Sequence, residues 1–132
     1  MEESLRQLLV THAPLTALVA QRVHWDEITQ GTARPCIVMF SVGETPGYHM
    51  QGRDRLKSHR VQIDCQSESI SGKLALARVV ETLLSGYRGT VAGTEFRGIF
   101  KLMQRDRVDR QDNGASLKIR QQDFEIWSRP TS

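Results

Sequence analysis

Between His59 and Gly86 the spacing of apolar residues changes from every second position to a helical stripe, and that change limits what the chain can fold into. Val61, Ile63 and Cys65 alternate with Arg60, Gln62, Asp64 and Gln66, which predicts a half-buried strand with the apolar set inward. From Ile70 the apolar residues Leu74, Leu76, Ala77, Val79, Val80, Leu83 and Leu84 form a stripe, with Lys73, Arg78 and Glu81 outside it. Ser69 is placed to cap this helix because its hydroxyl can accept from a first-turn amide. Gly86 can take the left-handed conformation that ends it. A strand with one apolar face followed by a helix with one apolar stripe implies a helix lying on a sheet.

The rest of the chain extends that unit. Glu2 to Val10 puts Leu5, Leu8 and Leu9 on one helical face, with Glu2 and Glu3 at the positive end of the helix dipole. Pro14 interrupts the pattern, and Leu15 to Ala20 is a second short helical piece. Val23 to Trp25 reads as extended, and Asp26 to Arg34 as a loop. Pro35 to Val42 is almost continuously apolar, as a central or doubly covered strand would be. Gly43 to Ser58 holds three glycines, Pro46 and the charged residues Arg53, Asp54, Arg55 and Lys57, and is expected to be a flexible, protruding loop. After a turn and a short strand around Val91, a long hairpin is expected over 97–129, with Arg97 to Val108 and Ser116 to Arg129 as its arms and Asn113-Gly114 in the turn. Leu117 and Ile119 have the opposite parity to Phe124 and Ile126, which predicts a bulge or bend near Gln121 to Asp123. The sum is an α+β fold in a single domain over 1–132: a mostly antiparallel sheet of four to five strands with a long C-terminal hairpin, one main helix on the sheet and a short N-terminal helical segment.

Composition removes some function classes. With 132 residues, 39% hydrophobic and 25% charged, the chain can build one core. Neither a membrane-length apolar run nor a secretion signal is apparent, so no membrane association is expected. Cys36 and Cys65 lie in apolar strand patterns without metal-ligand spacing, as buried thiols of a reduced intracellular protein. Fourteen of the 18 basic residues are arginine, whose planar fork suits subunit interfaces or a polyanion, although the formal charge is only +3.

Several strings, taken in order, resemble a family. LRQLLVTHAPLTALVAQRVHW, RPCIVMFSV, RVQIDCQS, LALARVVETLL followed by SGYRG, GTEFRGIF and SLKIRQQDFEIW are similar to the tail completion proteins, or tail terminators, of long-tailed phages, prophages and gene transfer agents. The resemblance covers nearly the whole chain and rests on the order of the strings more than on any one of them. It implies a subunit of a ring, usually a hexamer in the virion and able to be a monomer in isolation, at the head-proximal end of the tail tube. Such a ring stops tail polymerisation, meets the head connector or head-completion protein, and leaves a channel where DNA makes transient, non-specific contact. The implied location is the virion tail, assembled in the host bacterial cytoplasm. It assigns no role to the variable Gly43 to Ser58 and Arg105 to Gln111 stretches. Their basic residues Arg53, Arg55, Lys57, Arg105, Arg107 and Arg110 are nonetheless candidates for a subunit interface or the DNA channel, because mixed charge cannot enter a core.

Two other classes compete. For an enzyme, His12, His24, His49 and His59 are scattered and read as surface or loop histidines, Glu44, Asp54 and Asp64 lack the spacing of nuclease carboxylates, and neither a catalytic set nor a metal or cofactor is expected. The alternative to a ring subunit is a small basic nucleic-acid-binding module of phage or prophage origin. Against it, Trp25, Tyr48, Tyr87 and Trp127 are not interleaved with basic residues as a stacking platform requires.

Overall fold

The computed structural model describes residues 1–27, 33–46, 56–110 and 116–131. The chain runs α1 (Glu2–Val10), α2 (Ala13–Val19), β1 (Val23–Trp25), β2 (Cys36–Pro46), β3 (Lys57–Ser67), α3 (Ile70–Leu84), β4 (Gly89–Val91), β5 (Thr94–Arg110) and β6 (Ser116–Pro130). The class is α+β, as expected, but the sheet is larger than the four to five strands anticipated: six strands in the order β1-β2-β3-β6-β5-β4. It is also mixed. β1 pairs in parallel with β2, while every other pairing is antiparallel. Three-residue strands such as β1 and β4 leave too little periodicity for a sequence pattern to count them with assurance.

The organising unit forms as its periodicity dictates. Ser69 Oγ accepts from the Gly72 amide at 3.0 Å, capping α3, and Gly86 takes φ +78 just beyond its end. Leu76, Ala77, Val80 and Leu84 of α3 pack with Val61, Ile63 and Cys65 of β3 and with Phe124 and Ile126 of β6 in one core. Leu5, Leu8, Leu9 and Val10 of α1 and Leu15 and Val19 of α2 join the same core, so all three helices cover one face of the sheet. β4 and β5 are joined by Ala92 and Gly93, both with positive φ (48 and 84), the pairing that matches the twist of a two-residue hairpin.

Two expectations are corrected, and a third is not tested. Gly43 to Pro46 and Lys57 to Ser58 are ladder residues of β2 and β3 rather than loop, and only 47–55 of that stretch lie outside the described residues. Their alternation is masked by glycine and proline, while the pairing depends on backbone groups. The Asn113-Gly114 turn also lies outside the described residues. Finally, β6 carries no bulge. It pairs with β3 without interruption from Lys118 to Ser128, and the irregularity opposite Phe124 and Asp123 sits on β5, at Leu102. The parity change in β6 therefore has a different cause: Leu117 and Ile119 face the side of the sheet without helices, where Cys36 and Val38 are also buried outside the main core.

Candidate assembly interface

Length decides what the helices can cover. The 15 residues of α3 extend about 22 Å, while the 17 residues of β5 extend roughly 56 Å. The far part of the β5–β6 hairpin must therefore be held by other means. On the helix face, ion pairs do this: Lys101 Nζ lies 2.9 Å from Glu81, Lys73 Nζ 3.2 Å from Asp106, and Arg120 donates to both oxygens of Asp106 at 2.9 and 3.2 Å. Lys73, which the helical pattern put outside the apolar stripe, is buried beneath the hairpin by this contact. The Asp106 carboxyl is held below its usual range, first by the Arg120 hydrogen bond and with help from Lys73.

The opposite face is polar and still buried. Arg107 on β5 reaches across β6 to β3, donating to Asp64 Oδ2 at 3.0 Å and to Gln121 Oε1 at 2.9 Å. Gln62 donates to the other Asp64 oxygen at 3.2 Å. Beside them Arg60 donates to Asp123 Oδ2 at 2.8 Å, while Asp123 Oδ1 has no hydrogen-bond partner among the described residues. Asp64 is only 1% exposed, and burial pushes its carboxyl above the usual range despite the opposing pull of Arg107. Alternation sends Asp64 away from Cys65, as expected, but it does not send it to solvent.

Beyond these anchors the hairpin presents an open margin. β4 pairs with β5 only from Thr94 to Phe96, so from Arg97 to Arg110 the outer edge of β5 has no ladder partner among the described residues. Phe100, Leu102, Met103 and Val108 along it are about half exposed. On the other side of the sheet β1 pairs only with Ile37 to Met39, leaving the outer edge of β2 from Phe40 to Pro46 likewise without a ladder partner among the described residues. Its bulge residue Val42 is 49% exposed.

The six candidate basic residues do not form one cluster. Arg53 and Arg55 lie outside the described residues. Lys57 pairs with Ser128, whereas Arg107 pairs with Ile119, so they stand roughly 30 Å apart along β6 at 3.3 Å per residue. Lys57 contacts Glu44 at 3.2 Å. Arg105 and Arg107 share the helix-free face by register, and Arg110 has the other parity. Arg105 and Arg110 are exposed, and Arg107 is committed to Asp64. Sequence reasoning missed Asp64, Asp123 and Gln121 as buried anchors. The available signal was apolar residues on both parities of β6, which means that both faces are covered.

The residues considered for catalysis are dispersed as well. Glu44 pairs with His59 and so faces the opposite side from Asp64, while His49 and Asp54 lie outside the described residues. His59 is a buried strand residue 3.6 Å from Glu44, not the surface or loop histidine expected, and burial lowers its pKa. Trp25 and Trp127 donate to the Glu2 carbonyl and to Glu125.

A comparison with known families matches residues 3–129 to the family described as Tail completion protein gp17. The chain belongs to that family. It is accordingly a structural protein of phage tails, which agrees with the resemblance read from its ordered strings. Among solved structures, a chain from the "Virion of native gene transfer agent (GTA) particle" superposes with a TM-score of 0.68 at 17% identity, covering 98% of this chain and 95% of that one. At that identity the likeness concerns the fold. No curated protein matches the sequence.

Proposed function

We propose that the protein is the subunit that closes the head-proximal end of the phage tail tube and joins it to the head connector or head-completion protein. In this reading it folds as one domain over 1–132 and acts as a hexameric ring through which DNA passes. The observation that carries the reading is the family match over residues 3–129. The fold supports it physically. A sheet with open margins and exposed apolar residues on both sides is an aggregation hazard in a monomer and an adhesive surface in a closed assembly. The role is architectural, without catalysis or a cofactor, and is exercised at the head–tail junction after assembly in the bacterial cytoplasm.

Within the ring, Lys57, Arg105 and Arg110 serve neighbour or channel contacts together with Arg53 and Arg55, whereas Arg107 shapes the hairpin from within. DNA contact is weak and non-specific, since tight phosphate binding would obstruct passage. The decisive experiment removes the gene from the phage or prophage that carries it. Tails of irregular length and heads left unjoined are expected; normal-length tails joined to heads would overturn the reading. Light scattering and negative-stain imaging of the purified protein test the ring directly.

A further inference from the structure

We infer that successive copies join head to tail along the sheet, the open edge of β5 in one copy meeting the open edge of β2 in the next. The inference rests on the ring reading and specifies its surface. Following the register across the sheet, Ser41 aligns with Val61, Phe124 and Lys101, and Glu44 with His59, Ile126 and Ile99. Among the described residues, Phe40 to Gly43 of β2 and Phe100 to Met103 of β5 have no ladder partner on their outer side and lie at the same level on opposite margins of one sheet, just beyond the Ile99 carbonyl, which accepts from the Gly86 amide at 2.8 Å.

Both margins carry exposed apolar residues at a bulge, Val42 on β2 and Leu102 on β5, the latter flanked by Phe100 and Met103. A bulge disrupts regular pairing locally and sets the twist of the edge, so each margin is shaped rather than flat. Their charges are opposite. Beside β2 stand exposed Glu44, Asp26 and Glu27, with the Asp26 amide bonded to the Met39 carbonyl at the end of β1. Along β5 from 97 to 110 five basic residues outnumber Asp106 and Asp109, and although Lys101 and Arg107 are held by Glu81 and Asp64, Arg97, Arg105 and Arg110 are exposed. Acidic against basic favours β2 against β5 over either edge against itself, which is the condition for a heterologous contact.

Strand direction agrees. β2, β3, β6 and β5 alternate in direction, so β5 runs opposite to β2. A copy related by rotation alone can therefore set its β2 antiparallel to the first copy's β5, with no inversion of the subunit. A rotation that closes gives a ring.

The test uses the full chain. In the double variant Val42→Cys/Leu102→Cys, mild oxidation is expected to give a ladder of covalent multimers, while each single variant gives none and an equimolar mixture of the two singles stops at dimer. The native thiols Cys36 and Cys65 are buried. Sedimentation provides the second arm: Leu102→Lys or Val42→Lys should weaken self-association about tenfold or more, as loss of an interface anchor does. Ile70→Lys, at a residue 60% exposed at the start of α3 and away from both margins, should leave it unchanged. A wild-type oligomer that neither cross-links in the double variant nor responds to either lysine overturns the edge pairing and leaves the ring reading standing. Cross-linked dimers from Leu102→Cys alone overturn it in favour of a two-fold contact. A wild type that stays monomeric at every concentration, with a double variant that never cross-links, overturns the edge pairing as a contact the subunit makes by itself, while the ring reading is decided by the tails of the gene deletion.

Discussion

The two faces of this sheet are buried by different physics. On the helix side, β3 and β6 present Val61, Ile63, Phe124 and Ile126 to three helices, and burial is apolar and continuous. One residue away in each strand the side chains point to the other face, where Asp64, Gln121 and Asp123 are as deeply buried but are held by Arg107, Arg60 and Gln62. The first face gains most of its stability from area removed from water, a contribution that does not change with pH, and the ion pairs of Asp106 lie beyond that apolar area, under the far part of the hairpin. The second is held by hydrogen bonds that must offset the desolvation of carboxylates. The comparison shows that one strand can serve a core and an ionic clasp at once, because alternation separates them by a single residue.

The largest expected effect lies on the apolar face. Phe124→Ala, at a fully buried ring, is expected to destabilise the fold by about 3–5 kcal/mol, read from denaturant unfolding. A loss below about 1 kcal/mol would mean that the helix face is not the main source of stability. Next comes the clasp. Arg107→Ala leaves Asp64 buried beside Gln62 alone and is expected to cost about 1–3 kcal/mol, toward the lower end because Arg107 is 43% exposed. Faster proteolysis of the β5–β6 hairpin should accompany it, whereas a variant as stable as the parent would remove the clasp from the account.

Two carboxylates on opposite sides of the hairpin sharpen the contrast through pH. Asp64 is raised by burial, so the folded state binds its proton more tightly than the unfolded state. Its stabilising contribution is complete below the unfolded value, about 3.9, and is lost as pH rises through the folded one. Asp106 is lowered by Arg120, so its contribution is present above the unfolded value and is lost as pH falls through the folded one. Thermal melts from about pH 3 to pH 7 should therefore show Asp64→Asn reducing the loss of stability on the alkaline side of that value. Asp106→Asn should reduce the loss on the acid side. Identical profiles for the two variants would contradict the assignment. The smallest effect is Asp106→Asn at neutral pH, about 0.2–1 kcal/mol, because that carboxylate is 44% exposed and its ion pairs are solvated.

Much of the helix face was legible beforehand. The alternation of Val61, Ile63 and Cys65, the stripe from Leu74 to Leu84, the Ser69 cap and the extended Val23 to Trp25 all reappear in the structure, because each is a local pattern that one period or one capping bond explains. The ordered strings led to the family as well. The β6 bulge failed for an instructive reason. A parity change from Leu117 and Ile119 to Phe124 and Ile126 admits two solutions, a bulge or a second covered face, and local pattern cannot choose between them.

Residue order and spacing were enough to specify a strand-to-helix unit, a long final hairpin and kinship with tail completion proteins. Which strands neighbour one another, that Arg107 meets Asp64 across an intervening strand, and that β2 and β5 leave open margins at one level depend on contacts between residues far apart in the chain. Periodicity reports which way a side chain points relative to its own strand; only the assembled sheet determines what it then meets.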